Sequence, residues 1–356
     1  GLIESLGAGP SSQVLEYFLK YLSDQGVTTL LDAGNFALDD TVYAMVQKLD
    51  QQGKLPLRYH GASTLYMPQD IDAAVDKLKA MRSKYSGERF KIDTLKIFFD
   101  GVIETQTAHL LDDYRNTPGN RGGSLMSRER LAGLLVEAEA AGFHVHIHTL
   151  GDQAVRTALD AVEDLHRQLG RVPAVRIALS HLQLVDPEDV KRFAELGVIA
   201  NFTPAWHGVD GHYDNILGER RQQMFLTGSL LEQGAKITCS SDVYFTSQWE
   251  DGSASPFTGM QIGHTRQYIG GDSLLKPAQE ALSREQAVDC YTRDAAYQLG
   301  LEDDLGTLEA GKKADFVIVE RDLFDIDRYE INTLVPDAVF LDGKLVSGKM
   351  PPVRGR

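Results

Sequence analysis

Cysteine is scarce: Cys239 and Cys290 are the only two in 356 residues. Two thiols in so long a chain cannot make the disulfide framework that staples small secreted domains. Each sits in an apolar stretch, so both read as small buried side chains. Basic residues are the minority, 36 Lys and Arg against 51 Asp and Glu, giving a net charge of −15. That balance argues against nucleic acid and anionic membrane as partners, because both require basic patches. No run of about 18 apolar residues occurs, so no membrane-spanning helix is expected. Gly1 to Pro10 lack the basic-then-apolar form of a signal peptide, and a cytoplasmic setting is the expectation. No low-complexity segment or internal repeat interrupts the chain.

What is present is an ordinary globular balance. With 42% apolar and 24% charged residues, a core forms without disulfide or metal staples. The length suffices for a barrel of about 250 residues plus an accessory piece. Strand-like and helix-like segments alternate. Ser11 or Ser12 caps a helix whose apolar positions are Val14, Leu15, Phe18, Leu19 and Leu22, and Gly26 ends it. Seven apolar runs read as strands: Val27 to Ala33, Leu57 to His60, Thr94 to Phe99, Phe143 to Thr149, Val175 to Leu182, Val198 to Phe202 and Lys236 to Ser240. Helices are expected between them, among them Asp70 to Tyr85, Ser127 to Ala141 and Asp152 to Leu169. Ser283 and Gln286 mark a capping box for a later one. Such alternation implies a parallel sheet covered on both faces, an α/β fold of the TIM-barrel type with one strand short of eight. After Gly306 the texture changes to short strands and turns. Residues 1–304 are therefore read as the barrel and 305–356 as a small β-rich segment.

In a barrel of this type, chemistry sits at the C-terminal ends of the strands. Four strand ends carry ligand-type side chains: Lys96, His148, His181 and Asp242. Neutral imidazole and carboxylate are good zinc ligands. Lysine is a poor one unless carbon dioxide converts it to an anionic carbamate that bridges two metals. Each residue alone has a plainer explanation. A strand-end histidine is more often hydrogen-bonded structure, Lys96 can pair with Asp100 or Glu104, and Asp242 can cap its loop. The order Lys, His, His, Asp on separate strands makes coincidence a poor account of all four. His144, His146 and His148 share one strand face but span about 13 Å at about 3.3 Å per residue. They cannot bind one ion together, so His148 is the candidate and the other two are read as barrel interior. Trp206, His207 and Arg266 are secondary candidates for lining a substrate pocket, with Arg266 in a long loop shared with Trp249, Phe257 and His264. His60 ranks below these.

Several segments together resemble the amidohydrolase superfamily, in particular the N-substituted formamide deformylases and related metal-dependent hydrolases. They are Leu95-Lys96-Ile97-Phe98-Phe99-Asp100-Gly101, His148-Thr149-Leu150-Gly151-Asp152, Leu179-Ser180-His181-Leu182, Ala200-Asn201-Phe202-Thr203-Pro204-Ala205-Trp206 and Ser240-Ser241-Asp242. Leu305 to Val317 resembles that superfamily's return strand into a β-sandwich. The resemblance implies a carbamylated, bridging Lys96, with His148 and His181 on the more exposed metal. Asp242 would bind the more buried metal and serve as general base for hydrolysis of an amide or formamide C–N bond by activated water. It implies zinc, in one or two ions, and a small amide-type substrate.

The sequence departs from the family pattern at one point. The family's His-x-His pair belongs to its first barrel strand, whereas Thr28 to Ala33 matches the second and holds no such pair. The expectation is a fragment of a longer protein, a barrel lacking its first strand. The alternatives are a strand supplied by another chain, pairing across open edges as in a homodimer, or a rebuilt fold. Two other functions compete with hydrolysis. Lys96 in a barrel strand suits Schiff-base lyase chemistry, and an incomplete barrel suits a non-catalytic assembly role.

Overall fold

The structure, a computed structural model, describes residues 12–208, 212–243 and 247–350. The cap position Ser11, the leader region Gly1 to Pro10 and the last residues of the C-terminal segment lie outside the described residues. Ten strands are described: β1 (Thr29–Asp32), β2 (Arg58–Leu65), β3 (Phe90–Phe98), β4 (His144–Thr149), β5 (Ile177–His181), β6 (Ile199–Phe202), β7 (Ile237–Cys239), β8 (Phe316–Ile318), β9 (Ala338–Leu341) and β10 (Lys344–Gly348). The first seven form one sheet in the order β1 to β7, with every neighbouring pair parallel. This is the expected TIM-type arrangement with seven strands. Among the described residues no ladder joins β7 back to β1. β1 is half-exposed along its whole length, whereas all eight residues of β2 are buried, as a sheet edge and an inner strand should be.

Helices close over the outer face by local rules. Ser127 accepts a hydrogen bond from Arg130 N to open the helix Arg128–Ala141, and Gly142 ends it at φ 68°, a conformation that glycine adopts without Cβ strain. The helix Asp152–Leu169 buries Val155, Ala158, Leu159, Val162 and Leu165, a stripe at helical spacing that packs on the sheet. The expected capping box at Ser283 and Gln286 is formed. Four α-helices of the described residues add to those expected, two of them short, His212–Leu217 and Ser247–Glu250. Asp39–Gln51 buries Val42, Tyr43, Val46 and Leu49, one face of a helix. Pro256–Thr265 occupies what reads in sequence as a loop. Its glycines explain the disguise. A Cβ on Gly259 would lie 2.0 Å from the Tyr291 hydroxyl, and one on Gly263 would touch Leu282 and Pro204. They are there for close packing rather than for turning.

The cysteines correct the sequence reading. Cys239 ends β7, Cys290 lies in the helix Arg284–Tyr291, and the two form a disulfide with Cα atoms 5.2 Å apart. Fifty-one residues separate them in sequence, so only the packing of that helix against β7 brings the sulfurs together.

The three short strands β8, β9 and β10 form an antiparallel sheet in the order β10-β9-β8. Arg58, at the start of β2, ties it to the barrel through ion pairs with Asp315 and Asp342. The Arg58 and Asp315 side chains are 9% and 8% exposed, and Asp342 is 37% exposed. Removing the cation strands a buried carboxyl group. Arg58→Ala is therefore expected to lower stability by about 3 kcal/mol, the range for breaking a buried pair. The measurement is a urea titration. A loss below about 1 kcal/mol would mean that these contacts behave as surface pairs.

Candidate active site

The polar residues of the barrel interior lie on one register. Lys96 pairs across the sheet with Thr64 on β2 and His146 on β4, and His148 pairs with Phe98 and Ser180. Because side chains alternate along a strand, Lys96, Phe98, His146 and His148 share the inner face. Lys96 is buried, and its Nζ donates to Ser180 Oγ at 3.2 Å. Burial pushes its amine from the ordinary value of 10.5 down to about 7, against the pull of Asp242. Deeper in, Gln298 approaches His146 Nδ1 at 3.3 Å, and Thr238 links Gln298 to Asn201.

His148 is oriented from behind. Its Nδ1 lies 3.2 Å from Asp100 Oδ1, and Asp100 also accepts from the backbone N–H groups of His109, Leu150 and Gly151 at 2.9–3.1 Å. With Nδ1 turned to a carboxyl acceptor, the hydrogen belongs there and Nε2 is left as the electron-pair donor. The His181 ring meets His148 edge-on at 4.8 Å and stacks on Trp206 at 4.9 Å, nearly parallel. Burial, then the neighbouring His148 and Lys96, holds the His181 imidazole well below its usual range. It is therefore neutral at neutral pH, the form that binds metals. Asp242 follows β7, half-exposed, and lies within electrostatic reach of Lys96 and His148. Burial raises its carboxyl, and those two neighbours offset part of the rise. His181, Leu182 and Asp242 have φ of 73°, 48° and 49°. Such left-handed non-glycine residues are costly and concentrate at functional sites.

The secondary candidates divide. Trp206 reaches the mouth through its stack on His181. His207 and Arg266 do not join it. His207 is fully buried between Phe202 and Phe225, at ring distances of 5.5 and 4.3 Å. Arg266 is also fully buried, donating to the carbonyls of Met224, Phe225 and Leu275 at 3.0–3.3 Å. The helix Pro256–Thr265 ends at Arg266, and that carries its side chain into the core. His60 sits near the start of β2, opposite Lys91, with Nδ1 2.7 Å from Asp93, four residues below the mouth-level Thr64. His144 accepts from Arg176 N.

Asp100, which sequence reasoning weighed only as a possible partner of Lys96, instead faces His148. It appears in sequence only as the fourth residue after Lys96, and its link to His148 depends on β3 and β4 being neighbours. Among the described residues no three His, Cys, Asp or Glu side chains converge as a ready-made cation cage, and no helix is long and apolar enough to cross a membrane.

The low Lys96 pKa fixes a sign. Below about pH 7 the amine is charged in both folded and unfolded chains, so burial of the charge costs its full amount. Between about 7 and 10.5 the unfolded chain holds the extra proton, so stability rises with pH. Lys96→Met in metal-free protein is expected to be the more stable form at pH 6 by a few kcal/mol, on the order of the shift at about 1.4 kcal/mol per unit. The advantage shrinks toward pH 10. Urea titrations across that range check it, and a pH-independent difference would contradict the buried-amine account.

The chain was compared with known proteins. It is 27% identical over 337 residues to LONG AFTER FAR-RED 3 of Arabidopsis thaliana, an alignment covering 91% of this chain and 55% of that protein. It is 26% identical over 328 residues to the N-substituted formamide deformylase of Arthrobacter pascens, covering 90% of this chain and 57% of that enzyme. Thus the chain spans about half the length of the curated relatives it matches. Among solved structures, a metal-dependent hydrolase from Pyrococcus furiosus superimposes with a TM-score of 0.70 at 25% identity, over 88% of this chain and 60% of that one. A model of the amidohydrolase family matches residues 12–347, nearly the whole sequence. Barrel and family match agree, and the chain belongs to the amidohydrolase family.

Proposed function

We propose that this chain carries the mouth of a metal-dependent hydrolase acting on a C–N bond of the amide or formamide type. The observation that supports it best is the pair of buried imidazoles, His148 and His181, in contact at 4.8 Å beside a lysine whose amine is easily neutral. Two imidazoles, a carboxyl group and a carbamate suit a divalent cation, zinc first, in one or two ions. The donor chemistry fits, although the described residues do not form a closed cage. A divalent cation held there supplies Lewis-acid polarisation of a carbonyl and a more acidic water.

The residues have separate duties in this reading. His148 and His181 would hold the metal, with Asp100 and Thr203 behind their Nδ1 atoms. The Lys96 amine, neutral above about pH 7, adds carbon dioxide and loses a proton to become an anionic ligand. Asp242, half-exposed and raised by burial, takes a proton from water and delivers it to the leaving nitrogen. Trp206 shields His181 from solvent on the β6 side. The deformylase named above supplies the formamide class, and the Pyrococcus structure supplies the metal dependence. A Schiff-base reading draws on the same neutral amine. Borohydride trapping of a carbonyl ligand on Lys96 separates the two, since a carbamate is not trapped.

Elemental mass spectrometry is the direct test. The full chain is expected to hold one or two divalent ions, and His148→Ala and His181→Ala to lose them. Absence of stoichiometric metal from the unsubstituted chain would sink the proposal. Asp100→Asn keeps the shape but weakens the support of His148. Competition with a chelator is expected to show metal affinity falling about 10- to 100-fold, and unchanged affinity would remove Asp100 from the account.

A further inference from the structure

A continuous line of rings crosses the mouth. Tyr66 meets Phe36 edge-on at 5.3 Å, Phe36 lies 4.9 Å from Phe98, and Phe98 lies 5.2 Å from His148. The line continues through His181 to Trp206. It draws on one ring from the exit of each of β1 to β6. Phe36, Tyr66 and Phe98 are all half-exposed, although rings of this size gain most when fully covered.

The loop holding Phe36 is built rather than slack. Asp32 accepts from Gly34 N at 2.9 Å and Asn35 Nδ2 at 2.6 Å, and Asn35 N donates to Asp39 at 2.8 Å. Phe36 itself stands at φ 53°, an outlier for a bulky residue. That strain sets its ring between Tyr66 and Phe98. Rigid, preformed aromatic surface beside reacting groups binds ligands at low entropic cost.

We infer that Phe36, Tyr66 and Phe98 form a specificity wall for a flat aryl group attached close to the scissile bond, so that the substrate is an aryl-bearing amide. Phe98 packs directly against His148, ring centroids 5.2 Å apart, so an aryl group lying on the wall stands beside that imidazole. Aliphatic substituents of equal bulk lack the face that stacks. This inference rests on the hydrolase reading for the amide and on the ring geometry for the aryl group.

Ligand-observed NMR on the full chain, as purified, measures binding without requiring turnover. Benzamide is expected to bind about tenfold more tightly than acetamide and several-fold more tightly than cyclohexanecarboxamide. Phe36→Leu and Phe98→Leu each lose about three- to tenfold for benzamide, the range for an aromatic pair, and leave acetamide unchanged. Phe36→Tyr, which keeps the ring, retains binding and guards against a folding artefact. Equal affinity for benzamide and acetamide, no detectable benzamide binding, or indifference to both leucine variants would overturn the wall. Turnover separates the two claims. Benzamide bound but never hydrolysed by metal-loaded protein counts against the hydrolase reading and leaves the wall standing. Hydrolysis of acetamide and benzamide at equal kcat/KM counts against the wall alone.

Discussion

A cationic lysine cannot be left alone in a buried strand beside the His146 imidazole, and the site is arranged around that constraint. Lys96 has one hydrogen-bond acceptor nearby, Ser180 Oγ, and its nearest counter-charge is Asp242 at another strand end. Burial favours the neutral amine, and burial likewise keeps His146 and His181 neutral. Neutral nitrogen donors have lone pairs to give. The same desolvation that makes the interior costly for charge leaves these nitrogens as neutral donors.

The rest of the mouth follows from keeping those donors in place. Asp100 spends both oxygens on four N–H groups, three from the backbone of the β3 and β4 exits, so His148 is locked to the frame of the sheet. Left-handed residues at the ends of β5 and β7 turn the chain sharply just where His181 and Asp242 stand. Orientation here comes from strand exits and their turns, which explains why the barrel interior beneath can carry an unusual chain of polar groups, Asn201, Thr238, Gln298 and His146, in place of apolar layers.

Much of this was legible in the sequence because it is carried by local pattern. Apolar runs such as Thr94 to Phe99 and Phe143 to Thr149 announce buried parallel strands, and ligand-type residues at their ends mark the mouth. What was not legible depends on neighbours far apart in the chain. Asp100 finds His148 only after β3 and β4 pair. Cys239 finds Cys290 only after a helix settles on β7. His207 read as a mouth residue because it follows a strand and Arg266 because its stretch read as a loop, whereas Gly259 and Gly263 serve tight packing of a helix that carries Arg266 inward. The ring line is assembled from six strand exits, so no window of sequence contains it.

The Cys239–Cys290 link bounds one stretch of chain covalently at both ends. Everything between them, including Asp242 near one anchor and the helix Pro256–Thr265, is a closed excursion. The entropy of such a closure grows only with the logarithm of its length, about 0.6 kcal/mol per doubling. In the exposed stretch 268–274 the length can therefore change at small closure cost while the anchor beside Asp242 stays put. Variation between the anchors is thereby steered to the exposed stretch and away from the buried helix and the residues beside the disulfide.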